Sequence, residues 1–182
     1  MQQGSTLVLR RSASSQWTLN QDYGTYISGF GEGLAASATT VPDSFFIGLD
    51  NLYHLLYQAE YESQMLMVWS SGETEGTVIF QDFSVDSASN LYMIFYREAI
   101  LDYSNGASQG FYQGMEFFAH GIIDTYGCAY GNGAPGWYTS ECMGPRVFSD
   151  QILWNIDGVD QALDYFEFTV VRKSPFYDSS AG

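Results

Sequence analysis

Lysine is almost missing from this chain. Lys173 stands alone, Lys+Arg total 6 against Asp+Glu 21, and the 182 residues carry a formal net charge of −15. A surface that negative repels phosphate backbones and anionic lipid headgroups, so no nucleic-acid partner and no membrane-surface role are expected. Long apolar runs are missing too: none approaches 18 residues, and no charged segment precedes an apolar stretch, so neither membrane insertion nor a signal peptide is indicated and a soluble chain is expected. Histidine is confined to His54 and His120, and the sequence holds no G-x-S-x-G, P-loop or H-E-x-x-H pattern. The expectation is that the chain is not an enzyme. His54 reads as a surface or capping residue of a short helix. Glu73/Glu75, Asp82/Asp86 and Asp157/Asp160/Asp164 read as a solvated acidic face, because nothing in their spacing places two carboxylates across a cleft.

Cysteine is limited to Cys128 and Cys142, without a CxxC motif or a Cys/His cluster, which excludes the usual zinc patterns. One short-loop disulfide between them would contribute roughly 3 kcal/mol in the loop-entropy account and place the protein outside the cytosol. Two unlinked buried thiols in an intracellular protein remain the other reading. No N-x-[ST] sequon occurs.

What is abundant is aromatic and glycine: 17% Phe, Trp and Tyr and 19 glycines point to one loop-rich, aromatic-packed domain rather than a helical bundle or a disordered chain. Strands are expected at Leu7-Val8-Leu9, at Phe45 to Leu49, at Gln64 to Trp69 with a hairpin partner at Thr77 to Phe83, at Leu91 to Tyr96, and at Phe166 to Arg172. Helices are expected over Asn51 to Leu56, with Asp50 as N-cap, and over Asn20 to Ser28. Between Gly106 and Gly144 the glycine density predicts loops.

The order Tyr26-x-x-Gly29-Phe30-Gly31, Phe45-Phe46-Ile47-Gly48-Leu49-Asp50-Asn51-Leu52, Trp69-x-x-Gly72, Phe80-x-x-Phe83-x-Val85, Tyr92, Cys128-Ala129, Gly136-Trp137-Tyr138 and Cys142 resembles a fibrinogen-like C-terminal domain over nearly the whole chain. Thr6 to Leu9 with Arg10-Arg11 is similar to the family's opening strand, and Val170-Val171-Arg172 to its closing one. The resemblance implies an α+β fold, with a twisted antiparallel sheet, short helices and a loop-rich C-terminal lobe pinned by one disulfide, Cys128 to Cys142. It implies a single domain over 1–177 with a flexible tail over 178–182. The family's further cysteine-linked lobe, upstream of Thr6, is not found here, so a lost lobe or a fragment is expected.

By the same resemblance the function is that of an extracellular, secreted, non-catalytic recognition or adhesion module, lectin-like towards acetylated glycans, with a glycan or protein as partner. Its ligand pocket would be formed by Trp137, Tyr138, Glu141, Cys142 and Met143. The departures are informative. The family's histidine after the second cysteine is replaced by Met143, and its Leu-Asn-Gly segment by Arg146-Val147-Phe148-Ser149-Asp150. The stretch Phe118 to Cys128, where the family's calcium loop lies, carries one carboxylate, Asp124, although calcium takes six to eight oxygens. The calcium site is therefore expected to be degenerate, with Asp124 its one candidate ligand and no cofactor certain. Gly144-Pro145-Arg146-Val147 resembles the fibrin knob peptide, but that recognition needs a free amine and this copy is internal. Loss of these features supports a second expectation, a structural module that self-associates or joins a larger extracellular assembly with its pocket degenerate.

Overall fold

Alternation of apolar and polar side chains decides the centre of the molecule. In the computed structural model, which describes residues 4–15, 21–31, 44–69, 75–102, 106–119, 124–156 and 159–173, fifteen named helices and strands follow one another. They are β1 (Ser5–Ser12), α1 (Tyr23–Ser28), β2 (Phe30–Gly31), β3 (Ser44–Phe46), α2 (Leu49–Tyr57), β4 (Tyr61–Trp69), β5 (Glu75–Gln81), β6 (Ser84–Val85), β7 (Ile94–Phe95), β8 (Glu98–Asp102), β9 (Glu116–Phe118), α3 (Cys128–Gly131), β10 (Gly136–Tyr138), β11 (Ile152–Ile156) and β12 (Val159–Arg172). The principal sheet is antiparallel in the order β2-β3-β1-β12-β4-β5-β8, and β11 pairs with the first part of β12. The α+β class expected from the sequence is the one observed.

β12 is the hub. Its residues 163–172 pair with β4 on one side, and its residues 165–171 pair with β1 on the other. Phe166, Phe168 and Val170 point into the core at the strict period of two. A register shift between Leu163 and Tyr165 resets the phase so that Leu163 is buried as well. β5 contributes Val78 and Phe80 to the same core.

Around the sheet's core face the buried aromatics form one continuous cluster. The Phe148 ring lies 5.2 Å from Tyr26, 5.2 Å from Phe46 and 6.0 Å from Phe117, mostly edge to face. Arg11 is buried in the same layer. Its guanidinium donates to the carbonyls of Val147, at 2.6 Å, and Asp150, at 3.1 Å, which ties β1 to the segment before β11. Burial pushes that guanidinium down to about 10, against the pull of Asp150 and Tyr26.

Two glycines set the crossing of α1 and α2. Gly29 (φ 88°) ends α1 and Gly48 (φ 97°) precedes α2; a Cβ on Gly48 would stand 2.5 Å from the Gly29 nitrogen, and one on Gly29 2.4 Å from the Ile47 carbonyl oxygen. Only glycine satisfies both the backbone conformation and the approach.

Several expectations need correction. The strand expected over Phe45 to Leu49 stops at Phe46, and Leu49 already starts α2. Asp50 is not the cap: Gly48 holds that position, and Asp50 sits in the first turn, where its carboxylate accepts the Tyr92 hydroxyl. The helix expected over Asn20 to Ser28 is α1, which runs only from Tyr23; Asp22 is its cap, accepting the Thr25 amide at 2.8 Å. Leu91 to Tyr96 is a strand only at Ile94–Phe95, because Leu91 (φ 51°) and Tyr92 (φ 50°) turn the chain through the left-handed region. The glycine-rich region from Gly106 to Gly144 is not all loop: β9, β10 and α3 lie in it. Residues 70–74, within the expected turn between β4 and β5, and Asn20, Glu73, His120, Asp157 and the 178–182 tail lie outside the described residues.

Candidate functional site

The hairpin of β9 and β10 builds the site. Its register pairs Trp137 with Phe117, Tyr138 with Glu116 and Gly136 with Phe118, so the two faces carry different chemistry. Phe117 and Trp137 face the main core, their rings 5.0 Å apart, and Trp137 spends its indole N–H on the Tyr92 carbonyl at 3.0 Å. The opposite face carries Glu116, Phe118 and Tyr138. Tyr126 lies edge-on against Phe118 at 6.0 Å, and 51% of Tyr126 stays exposed.

Beside this face opens a cleft of about 270 Å³ lined by Gln113, Gly114, Glu116, Tyr126, Tyr138, Thr139 and Ser140. Of the five ligand contacts expected from the sequence, Tyr138 alone lines it. The Tyr138 hydroxyl donates to the Ala134 carbonyl at 2.9 Å, and burial pushes the phenol's pKa far up, so the group enters the cleft as a neutral wall. Trp137 is turned away into the core, 4% exposed. Glu141, Cys142 and Met143 form a tight loop around Thr139 and are not among the residues that line the cleft. Thr139 Oγ1 accepts the amides of Glu141, at 3.3 Å, and Met143, at 3.2 Å; its carbonyl accepts the Cys142 amide at 2.9 Å, and its own amide donates to the Met143 carbonyl at 2.9 Å. Cys142 takes a positive φ of 60°, and the described peptide bonds are all trans.

Cys128 and Cys142 are joined by a disulfide, with their Cα atoms 4.9 Å apart, so the reading with two unlinked thiols falls. The bond fixes α3 to the Thr139 loop, and through it the cleft's Ser140 edge. Replacing both cysteines with serine is expected to cost about 3 kcal/mol, the loop-closure value for roughly 15 residues. Thermal unfolding of the variant against the parent, with the reduced parent as a third sample, checks this; an unchanged melting temperature would show that the loop is held by the Thr139 bonds alone.

Asp124 has other employment than a metal. One of its oxygens accepts the Cys128 amide at 2.8 Å, and the other accepts the amides of Ala129, at 2.8 Å, and Tyr130, at 3.3 Å, so that both are spent on the first turn of α3. Among the described residues no group of three or more His, Cys, Asp or Glu side chains is placed to hold a metal ion. The described residues therefore do not fit the calcium site that the resemblance implies. His54 lies exposed on α2.

The cleft's Gln113, Glu116, Tyr126, Thr139 and Ser140 were not singled out from the sequence. The signal for Glu116 was its place beside Phe117, one residue out of phase with the core, and for Thr139 a hydroxyl two and four residues before amides that need an acceptor.

Comparison with known structures decides the architecture. The fibrinogen-like globe domain of human ANGPTL6 superposes with a TM-score of 0.71, at 19% identity, over 94% of this chain and 79% of that one. The chain has the fibrinogen-like fold. The same fold is seen in the globe domain of human ANGPTL2, with a TM-score of 0.72 at 19% identity over 92% of this chain and 79% of that one. It is seen again in lamprey fibrin D-dimer complexed with the peptide Gly-His-Arg-Pro-amide, with a TM-score of 0.74 at 17% identity over 99% of this chain and 67% of that one. In sequence the chain is similar to human Tenascin-R, 26% identical over 138 residues, which is 74% of this chain and 9% of that protein's length. No family profile matches the chain. The glycines that let α1 cross α2 and the bridged cysteines are among the residues that carried the resemblance, and each has a backbone or covalent role in this fold.

Proposed function

We propose that this chain is a non-catalytic recognition module of an extracellular protein, and that it holds its ligand in the cleft bounded by Gln113, Glu116, Tyr126 and Ser140. The cleft itself carries the reading: a concave site beside a partly exposed aromatic ring, framed by polar groups of distinct types, in a fold whose lamprey representative is complexed with a peptide. Among the described residues Glu116 is the single carboxylate lining the cleft, and none of those lining residues is a histidine. The disulfide fits an oxidising, extracellular setting. The lectin-like form of the reading has weaker support. The aromatic wall expected to hold an acetyl group is reduced to Tyr138, because the Trp137 face is buried.

The test is a two-dimensional NMR titration of the intact chain with N-acetylglucosamine and, separately, with Gly-His-Arg-Pro-amide. Shifts confined to residues 113–116, 126 and 138–140 with at least one probe, abolished by Ser140→Trp at unchanged melting temperature, are the expected result. Saturating shifts elsewhere that Ser140→Trp leaves untouched would overturn the assignment of the cleft.

A further inference from the structure

The chain's few cations are almost all committed internally. Arg10 pairs with Glu167 on the neighbouring strand, Arg97 and Lys173 with Asp82, and Arg146 with Asp160, while the Arg11 guanidinium is buried against two carbonyls. Arg146 is the cation whose charge reaches Tyr138, and it is held by Asp160. Among the described residues none of the ion pairs involves Glu116, which sits half-buried and is the one carboxylate among the described residues that line the cleft. Glu141 follows Ser140 directly and is exposed beside the rim.

We infer that the cleft receives one positively charged side chain, a lysine ammonium or an arginine guanidinium, presented by a basic segment of a protein partner. This rests on the recognition reading above and narrows it. Four features of the wall agree. Glu116 supplies an acceptor for a charge-assisted hydrogen bond in a partly desolvated position. The half-exposed Tyr126 ring offers a face to a cation. Gln113 and Ser140 add neutral acceptors for the remaining N–H groups of an ammonium or guanidinium. The volume of about 270 Å³ falls just short of the roughly 300–1,000 Å³ of small-molecule sites, which suits one side chain better than a run of sugar rings. With no Lys or Arg among the described residues that line the cleft, a carboxylated, sulfated or phosphorylated ligand would meet Glu116 without a counter-charge from them. The net charge of −15 adds long-range attraction for a basic partner, so association is faster at low salt.

The probes are three pentapeptides blocked at both ends, Gly-Gly-Lys-Gly-Gly, Gly-Gly-Arg-Gly-Gly and the neutral Gly-Gly-Gln-Gly-Gly, so that the side chain supplies the sole charge. Each is titrated by NMR into the intact chain and into Glu116→Gln at the same ionic strength, with N-acetylglucosamine and Gly-His-Arg-Pro-amide alongside. The expected result is that the lysine or arginine peptide shifts residues 113–116, 126 and 138–140, that the glutamine peptide does not, and that Glu116→Gln weakens binding about tenfold or more. Because Glu116→Gln changes the net charge from −15 by a single unit, a tenfold loss cannot come from the diffuse field. Equal affinity for the neutral peptide, or binding unchanged in Glu116→Gln, overturns the inference. If N-acetylglucosamine or Gly-His-Arg-Pro-amide binds in the cleft while both cationic pentapeptides fail, the recognition reading stands and this inference falls. If every probe fails there, both fall.

Discussion

Phe148→Ala is expected to cost about 3–5 kcal/mol of folding stability, the range for truncating a large aromatic in a packed core. Phe148 is fully buried and lies at the meeting point of rings from five segments: Tyr26 on α1, Phe30 on β2, Phe46 on β3, Phe117 on β9 and Trp137 on β10. Removing its ring leaves a void that no single neighbour can fill, since each is fixed by its own strand or helix. Phe148→Leu keeps more of the volume and is expected to lose less than half as much. Urea unfolding curves of the three proteins measure the difference. A loss below about 1 kcal/mol for Phe148→Ala would mean that the cluster collapses into the space, and that the sheet and the cleft hairpin are joined less tightly than the ring distances imply.

A second change of similar size lies at Arg11. Its guanidinium, held with a lowered pKa by burial, is the donor for the Val147 and Asp150 carbonyls, and its aliphatic stem fills core space. Arg11→Met preserves most of the packing and removes the donors, so it isolates the hydrogen bonds; a loss of about 2–4 kcal/mol is expected from two carbonyls left without that donor. Arg11→Ala removes both packing and donors and is expected to reach about 3–5 kcal/mol. The pair is read together by chemical denaturation. Should Arg11→Met unfold at the parent's midpoint, the buried guanidinium would be a passenger, and the segment from Val147 to Asp150 would be held by Phe148 and Ser149 instead.

The strands that alternate cleanly were legible in the sequence. Phe166, Phe168 and Val170 declare one face of β12, and Met65 and Met67 lie on the alternating pattern of β4. What escaped was structure decided by neighbours. Asp50 has the side chain of a cap, but the close approach of Gly29 and Gly48 starts α2 two residues earlier, and the Tyr92 hydroxyl then claims the carboxylate. Leu91 and Tyr92 have strand-forming side chains, yet the Tyr92 carbonyl is needed by the Trp137 indole, and the backbone turns left-handed there. The cleft was hidden for a related reason. Glycine between residues 106 and 144 read as loop, so the hairpin that separates Trp137 from Tyr138 onto opposite faces was not drawn, and both rings were expected on one wall. Asp124 stands out in the sequence only as the one candidate calcium ligand; its three amide contacts are local, but they depend on α3, whose four residues give no periodic signal.

The position of β12 bears on how the protein is made. A chain emerging from the ribosome presents β1 and β4 long before the strand that separates them, and until residues 165–172 are out, the two have no hydrogen-bonding partner between them. The nascent molecule therefore waits with a gap in the middle of its sheet and the sites for Phe166 and Phe168 empty, a state with exposed strand edges that invites capture by chaperones or by other nascent chains. A ribosome that stops before residue 163 therefore releases a polypeptide whose β1 and β4 have no strand to join them.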